Sequence, residues 1–382
     1  MKNDEKQFQS FRLRVHACWE HFLQGEEQLR QLIDQKADSE AIAERIASLL
    51  TPAFNDVSAE VGFNGEKHEL ILNLDGNWAR VFPLIYFQKQ APAKVLEHWN
   101  ILIGRQSREI DRQKEKSLGD YQIQISGNSV CIDEIQVWTV WENEKANVSI
   151  YCEKLAALLP EKESEAYWIA YVMLDYAVGE LAEMSYVREL EVLTAPHAEP
   201  SMTLAQLPSQ FMEQLSLTVE ELFDPERYCA RYSAYRMEPN EDADDGLRGD
   251  VFTGSSCLIS LLNAFWSEDT YIMDTFEQDG VTAGYFCYPL GGFTGDDRGA
   301  QILDFRDNTA MMIENTAGAE NFTYIGGATG IHFGYLDFIS WDIKAVLDAA
   351  VSVFEKSGID WVMFHSFRQD DEGITLFEKE TT

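Results

Sequence analysis

The sequence predicts an α+β protein in which short strands and amphipathic helices follow one another. Runs such as "HELILNL" and "FGYLDFIS" have the length and apolar content of strands, whereas "ESEAYWIAYVMLDYAVGELAEM" and "DIKAVLDAAVSVFEKSG" repeat apolar residues at helical spacing. The order strand, strand, helix, strand recurs through the chain, most clearly at 57–105 and 321–368. Helices between antiparallel strands, packed on one face of each sheet, are typical of α+β proteins.

The N-terminal part begins with helices and continues as the first of these repeated units. Apolar residues at helical spacing predict one or two amphipathic helices over 7–35 and another near 39–50. Asn64-Gly65, between "VSAEVGF" and "HELILNL", is a strong hairpin-turn signal. "NWARVFPLIYFQKQAP" then predicts a helix, and "EHWNILIGRQS" predicts a strand.

The middle of the chain predicts further strands, a buried helix at 163–182 and then a boundary. The segment "APHAEPSMTLAQLPSQ" contains Pro196, Pro200 and Pro208, and clustered prolines favour a loop. We therefore predict an N-terminal α+β domain at 1–194, a linker at 195–208 and an acidic C-terminal domain at 209–382. From Gly280 to Phe367 the predicted order is strand, helix, strand, strand, helix, strand, which is the ferredoxin-like order.

Net charge separates this chain from several classes of protein. The 30 basic and 65 acidic residues give −35. From Ser201 onward, 10 Lys and Arg face 32 Asp and Glu, a net of −22. Such a field repels nucleic acid and anionic membranes, and it attracts a basic protein partner. Solubility alone is the simpler alternative explanation.

The cellular compartment can be predicted from the N-terminus, the apolar runs and the cysteines. The N-terminus has no apolar core or cleavage site of a secretory signal. The longest apolar run, at 166–178, is 13 residues long and contains Asp175, so it is too short to span a bilayer. Six cysteines are scattered singly, which favours reduced, mostly buried thiols in the cytoplasm.

The glycine-rich stretch "YIGGATGIHFGYLDFISWD" (324–342) draws attention as a candidate site. A phosphate loop would need its glycines before a helix, but here another strand follows, so we interpret Gly326, Gly327 and Gly330 as a connection between two strands. His332 and Asp337 have different parity on the second strand and so point to opposite faces. Asp337 among aromatic residues is expected to be half-buried, with a structural role.

Other candidate chemistry is weak in this sequence. His16 and Cys18 lie about 200° apart on a helix at roughly 100° per residue, so with His21 they cannot converge on a metal. "NEDADDG" (240–246) lacks the glycine and the closing glutamate of a calcium loop. No metal or cofactor is therefore expected. Asp175, isolated in an apolar helix, should have a partner, and we expect a backbone group or Arg188.

Catalysis by serine is also disfavoured. In "FHSFRQDD" the neighbouring residues His365 and Ser366 point to opposite faces of a strand, so the histidine cannot activate the serine. We expect His365 to be packed or partly exposed. A hydrolase whose site is assembled across strands near Asp337, His365 and Arg368 remains the alternative hypothesis.

At "HWNILIGRQ" (98–106) and "YIGGATGIHFGYLDFISWD" the chain resembles a group of uncharacterised bacterial multi-domain proteins. The similarity covers most of the chain and implies no catalytic residue. Proteins of this general type are often encoded beside secreted toxins, so the resemblance implies that an immunity function is to be considered.

These observations favour a cytoplasmic, non-enzymatic binding protein, of the kind of an immunity protein or antitoxin, that inhibits a basic protein partner. The sequence carries no signal of the oligomeric state. The acidic loops supply the candidate partner-binding residues, which are Asp242, Asp244, Asp245, Asp250, Asp296 and Asp297.

Overall fold

The computed structural model describes residues 9–107, 122–125, 128–244 and 246–379. The chain forms two compact units. Unit 1 comprises Met1–Gly25, Ser48–Asp56 and Cys229–Thr382, and unit 2 comprises Glu26–Ala47 and Val57–Tyr228. The division after Tyr228 lies beyond the predicted linker, and the N-terminal residues belong with the C-terminal part of the chain.

The segment 195–208 is part of unit 2, and it is exposed at 195–201 and partly buried at 202–208. Met202 and Thr203 form a short strand that pairs with Val137 and Gln136. Leu204 and Leu207 are buried. Pro208 lies in the first turn of a helix, where the missing N–H of proline is tolerated. Of the three prolines, Pro208 therefore marks a helix start, whereas Pro196 and Pro200 lie in the exposed part of the segment.

Helices and strands both contribute to each unit, which confirms the α+β class. The helices of the described residues are α1 (Phe11–Asp34), α2 (Ser39–Leu50), α3 (Val81–Lys89), α4 (Ala93–Leu96), α5 (Glu153–Ala156), α6 (Glu163–Val178), α7 (Glu180–Tyr186), α8 (Leu207–Leu215), α9 (Val219–Phe223), α10 (Pro225–Cys229), α11 (Ile259–Ser267), α12 (Tyr271–Asp279), α13 (Arg298–Ala317) and α14 (Ile343–Phe354).

The strands of the described residues form four sheets. They are β1 (Ala59–Phe63), β2 (His68–Leu72), β3 (Trp99–Ile103), β4 (Gln122–Ile125), β5 (Asn128–Cys131), β6 (Gln136–Glu142), β7 (Lys145–Tyr151), β8 (Val187–Val192), β9 (Met202–Thr203), β10 (Ser233–Arg236), β11 (Val251–Ser256), β12 (Thr282–Pro289), β13 (Phe322–Gly330), β14 (Phe333–Ser340), β15 (Trp361–Ser366) and β16 (Ile374–Glu378).

Unit 2 contains a three-stranded sheet in the order β1-β2-β3, a β4-β5 pair and a four-stranded sheet in the order β8-β7-β6-β9. The predicted β1–β2 hairpin is confirmed: its strands are antiparallel, and Gly65 has a φ of 99° in the turn, a conformation that glycine adopts readily. The predicted helix at 163–182 is interrupted at Gly179, which has a φ of 89° and separates α6 from α7.

Unit 1 is built on a seven-stranded antiparallel sheet in the order β10-β11-β13-β14-β12-β15-β16. From Thr282 to Ser366 its elements run strand, helix, strand, strand, helix, strand. The segments 57–105 and 321–368 both run strand, strand, helix, strand, but their pairing differs. Strand β3 lies parallel and next to β2, whereas β12 separates β14 from β15.

Both faces of the central strands of unit 1 are covered, because every residue of β14 is buried. On one face, Phe286, Leu336 and Phe338 pack in a core with apolar residues of α13 and α14. On the other face, Tyr285 contacts Phe265 of α11, and Trp341 contacts Phe11 of α1. The second face also carries the buried polar residues described below.

The glycines at 326, 327 and 330 lie in the middle and at the end of strand β13, so the prediction that they connect two strands was wrong. The connection is only Ile331 and His332. Gly326 has a φ of 145° at a bulge in β13, and a Cβ there would lie 2.2 Å from the carbonyl oxygen of Ser255. Glycine is required at this position because the neighbouring strand comes so close.

No helix in the described ranges is long and apolar enough to cross a membrane.

Candidate functional site

Two acidic loops lie at one end of the seven-stranded sheet. The loop 237–250 joins β10 to β11, and the loop 290–297 joins β12 to α13. Val251 pairs with Gly330, and Pro289 pairs with Phe333, so both loops flank the short turn between β13 and β14. Residues of the two predicted loops, far apart in sequence, are therefore brought to the same end of the sheet.

The turn contacts both loops directly. The carbonyl oxygen of His332 accepts a hydrogen bond from the N–H of Leu290 at 2.9 Å. Nε2 of His332 lies 3.0 Å from the carbonyl oxygen of Glu241. The N–H of Ile331 donates to the carbonyl oxygen of Asp250 at 3.1 Å. The two acidic loops are thus attached to a common rigid strand connection.

Four of the six predicted partner-binding residues expose their side chains. Asp242 and Asp244 are exposed in the first loop, and Asp296 and Asp297 are exposed in the second. Glu241 is also exposed between them. Asp245 lies outside the described residues. We call the exposed carboxylates at this end, Glu241, Asp242, Asp244, Asp296 and Asp297, the acidic sheet end.

Asp250 is buried, and its prediction as a partner-binding residue is corrected here. Only 1% of Asp250 is exposed. Its Oδ2 accepts the backbone N–H groups of His332 and Phe333 at 2.8 and 3.0 Å, and its Oδ1 accepts the hydroxyl of Tyr335 at 2.6 Å. The carboxylate therefore fixes the β13–β14 turn and cannot meet a partner.

Arg248 anchors the end of the first acidic loop in the interior of unit 1. Nη1 and Nη2 of Arg248 lie 2.5 and 3.3 Å from Oδ1 and Oδ2 of Asp337, and Nη2 donates to the hydroxyl of Tyr235 at 2.9 Å. Both side chains of the ion pair are 0% exposed. The predicted half-buried Asp337 is therefore fully buried, and it is held by an arginine that the sequence patterns did not single out.

Aromatic rings complete the surroundings of this guanidinium. The Cζ of Arg248 lies 5.0 Å from the ring centroids of Tyr285 and Tyr335 and 5.6 Å from that of Phe367. Burial lowers the pKa of Arg248, but the attraction of Asp337 outweighs it, so the pKa is raised above its ordinary value. Such short-range attraction between opposite charges is strong where water is excluded.

Asp337 and His365 lie on the same face of the sheet, on either side of Tyr285. Tyr285 is directly opposite Asp337 in β14 and directly opposite His365 in β15. The imidazole of His365 stacks on the Tyr285 ring, with centroids 5.3 Å apart and an angle of 15°. His365 is 1% exposed, which confirms the prediction of a packed histidine, and its Nδ1 lies 2.7 Å from the carbonyl oxygen of Ser366.

Arg368 does not join Asp337 and His365. It lies beyond the end of β15 and pairs with two carboxylates of α12: its Nε is 2.7 Å from Glu277, and its Nη2 is 2.5 Å from Asp274. The hydrogen bonds of Arg368 and the ion pair of Asp337 therefore engage separate partners. The alternative hydrolase site near Asp337, His365 and Arg368 is not assembled as one open cluster.

Unit 2 has its own cluster of carboxylates around Arg105. The guanidinium lies 2.8 Å from Glu60 and 3.1 Å from Asp175. The partner of Asp175 is therefore Arg105, whereas we expected a backbone group or Arg188. Glu180 accepts the backbone N–H groups of Leu74 and Asp75 at 3.0 and 2.8 Å. Burial raises the pKa of Asp175 well above its ordinary value, with repulsion from Glu180 added.

Glu183 lies at the edge of this cluster. Burial raises its pKa to about 7, the nearby charge of Glu180 raises it as well, and Lys145 opposes the shift. The described residues contain no group of His, Cys, Asp and Glu that could hold a metal ion. Glu60 and Asp175 are partners of Arg105, and Glu180 is an acceptor of backbone N–H groups.

No protein-family model, no curated protein and no solved structure matches this chain.

Proposed function

We propose that the protein is a cytoplasmic, non-enzymatic binding protein that inhibits a basic protein partner, in the way an immunity protein or antitoxin does. The partner docks on the acidic sheet end of unit 1. The observation that carries this proposal is the position of the two acidic loops, which expose Asp242, Asp244, Asp296 and Asp297 at the same end of one sheet.

The attachment of the loops also supports a docking role. Asp250 and Arg248 hold the end of the first loop by buried hydrogen bonds, and the N–H of Asn240 donates to the carbonyl oxygen of Gly249 across its base at 2.9 Å. A loop that is ordered before binding loses less conformational entropy when a partner docks. The base of the first loop, which carries the exposed Asp242 and Asp244, is therefore held in place.

We further propose that Thr282–Ser366 is a ferredoxin-like unit extended by strands on both sides. Its four strands lie in the order β13-β14-β12-β15, so the two strands joined through each helix have another strand between them. This arrangement supports the split βαβ interpretation. A cytoplasmic location is supported by the six cysteines, which are all present as thiols.

Co-purification tests the proposed partner class. The protein is used as bait for the products of its neighbouring genes, at low and at high salt. We expect a basic protein to be retained at low salt and released as the Debye length falls from about 10 Å at 0.1 M to about 3 Å at 1 M. The double variant Asp296→Asn/Asp297→Asn should weaken retention, whereas Glu189→Gln/Glu314→Gln, which removes exposed charges elsewhere, should not. Retention that is indifferent to salt and to Asp296→Asn/Asp297→Asn contradicts the proposal.

The alternative, a hydrolase, draws on the alignment of Asp337, Tyr285 and His365 across three strands. Such a site would have to open before a substrate could bind, because Asp337 and His365 are buried and the carboxylate of Asp337 is paired with Arg248. Hydrolysis of a small activated ester that disappears in a folded His365→Ala variant would favour this alternative. We expect no such His365-dependent hydrolysis.

A further inference from the structure

Strand β16 forms one edge of the seven-stranded sheet. It pairs with β15 on its inner side, and within the described ranges no strand pairs with its outer side. An edge strand presents a row of backbone N–H and C=O groups that can pair with another chain. The outer side of β16 is therefore a place where a strand can be added.

Strand β16 carries only part of the usual protection of an edge strand. Proteins protect such edges with proline, lysine, bulges or very short strands. The strand "ITLFE" contains neither proline nor lysine, and Ile374 is 54% exposed, but a bulge lies between Thr375 and Phe377 and Lys379 directly follows the strand. The opposite edge strand, β10, is only four residues long and ends in the exposed residue Arg236. The two edges thus differ in charge, because β10 ends in an exposed arginine and β16 ends in the exposed residue Glu378. The edge at β16 is therefore the better one for a basic segment.

The charges around β16 indicate which occupant the edge accepts. Asp370 and Glu372 are exposed just before the strand, and Glu378 is exposed at its end. Glu378 pairs with Trp361, and the ring centroids of Trp361 and Phe333 are 5.5 Å apart. Strand β16 therefore ends at the same end of the sheet as the acidic loops. An added strand with basic side chains is attracted at both of its ends. A second copy of this chain would bring like charges together, which disfavours pairing.

We propose that the outer edge of β16 binds an extended, basic segment of the partner by strand addition. This inference rests on the proposed function, because it gives the same partner a second contact beside the acidic sheet end. Main-chain hydrogen bonds supply the affinity in this mode of recognition, and side chains supply the specificity.

The hydrogen-bond pattern identifies an outward-facing backbone group for the test. The N–H of Lys379 donates to the carbonyl oxygen of Asp360 at 2.8 Å, on the inner side of the strand. In an antiparallel pair, successive residues alternate between inward and outward backbone groups. The N–H of Glu378 therefore points outward, and Glu378→Pro removes it without removing a bond to β15. Glu378→Ala removes the same charge and keeps the N–H, so it is the matched control.

The probe is a fluorescently labelled seven-residue peptide of alternating lysine and valine, whose binding to the full chain is followed by anisotropy at low salt. Two control peptides are used. One alternates lysine with proline, which cannot complete a ladder of hydrogen bonds, and the other alternates glutamate with valine. We expect the lysine–valine peptide to bind at least about tenfold more tightly than either control. Glu378→Pro should weaken its binding about fivefold more than Glu378→Ala does, as expected for one lost hydrogen bond. Circular dichroism and thermal unfolding verify that both variants remain folded.

Several results would overturn the strand-addition proposal. Equal binding of the lysine–proline peptide would mean attraction by charge alone, and equal effects of Glu378→Pro and Glu378→Ala would mean that the outer edge is not used. Concentration-dependent dimers of the wild-type chain that Glu378→Pro abolishes would identify a second copy as the occupant. If Asp242→Asn/Asp244→Asn weakens capture of the partner while both Glu378 variants leave it unchanged, the proposed function survives and strand addition fails. If none of these variants weakens capture, both proposals fail.

Discussion

The guanidinium of Arg248 lies against the carboxylate of Asp337, 89 residues later in the chain, with both side chains fully buried. This pair connects the end of the acidic loop 237–250 to the middle of the central strand β14. Arg248 adopts a φ of 66°, a left-handed conformation that is uncommon for residues other than glycine. The contact with Asp337 therefore holds the loop end in an otherwise unfavourable backbone conformation.

Replacing Asp337 by asparagine is expected to destabilise unit 1 strongly. The substitution leaves the buried charge of Arg248 without its counter-ion, which typically costs about 3–5 kcal/mol. Urea unfolding of the variant should show a lower midpoint with the same slope. The double variant Arg248→Met/Asp337→Leu removes both charges and should recover much of the loss. An Asp337→Asn variant as stable as the wild type would contradict a role for this pair in stability.

Asp250 and Asp242 are expected to respond differently to the same substitution, although they belong to one acidic loop. Asp250→Ala leaves the N–H groups of His332 and Phe333 and the hydroxyl of Tyr335 without their buried acceptor, so we expect a loss of at least about 2 kcal/mol. Asp242→Ala removes an exposed group and should change the unfolding free energy by less than about 0.5 kcal/mol. Similar unfolding free energies for the two variants would mean that Asp250 does not fix the turn.

Glu183 makes the stability of unit 2 depend on pH in an unusual direction. Burial raises its pKa from 4.5 to about 7, with repulsion from Glu180 added and Lys145 opposing. The native state therefore binds this proton more tightly than the unfolded chain does. The resulting stability is present below about pH 4.5 and is lost as the pH rises toward 7, and burial raises the pKa of Asp175 and of Glu180 in the same direction.

Glu183→Gln isolates this contribution. The variant should be more stable than the wild type at pH 8, by up to about 3 kcal/mol, and the two should converge near pH 4.5. Urea unfolding between pH 4.5 and pH 8 measures the difference. Glu189→Gln, which changes an exposed residue of the same unit, serves as the control. A difference between the Glu183→Gln variant and the wild type that does not change with pH would contradict the predicted titration.

The spacing of apolar residues predicted helices and strands well where a single apolar face packs against the rest of the protein. The β1–β2 hairpin follows from Asn64-Gly65 between two apolar runs, and α14 follows from apolar residues at helical spacing that pack on the sheet. The two compact units divide after Tyr228 and not at the predicted linker. Proline occurs both in loops and in the first turn of helices, and Pro208 lies in the first turn of α8. The assignment of the N-terminal residues to unit 1 depends on distant contacts, such as Phe11 with Trp341.

The site was only partly predictable for a similar reason. Spacing places Asp337 and His365 on strands, but the order of those strands, which sets Tyr285 between them, is a property of the whole sheet. Arg248 lies in a loop of acidic residues. A single arginine in such a loop is normally predicted to be exposed to solvent. In the sequence, Asp250 differs from Asp242 only because it directly precedes strand β11. This position next to a strand is the one local signal that Asp250 is buried.

The exposed carboxylates of Asp242 and Asp244 are expected to act on the encounter with a basic partner rather than on the lifetime of the complex. Charges at the rim of an interface mainly change the association rate, because they steer the partner before contact. With the partner obtained by co-purification, stopped-flow mixing of the Asp242→Asn/Asp244→Asn variant should give slower association and a nearly unchanged dissociation rate. The difference should shrink as salt rises, and Glu189→Gln/Glu314→Gln should associate like the wild type. An association rate that is indifferent to both the substitution and salt would mean that the negative charge of unit 1 serves solubility alone.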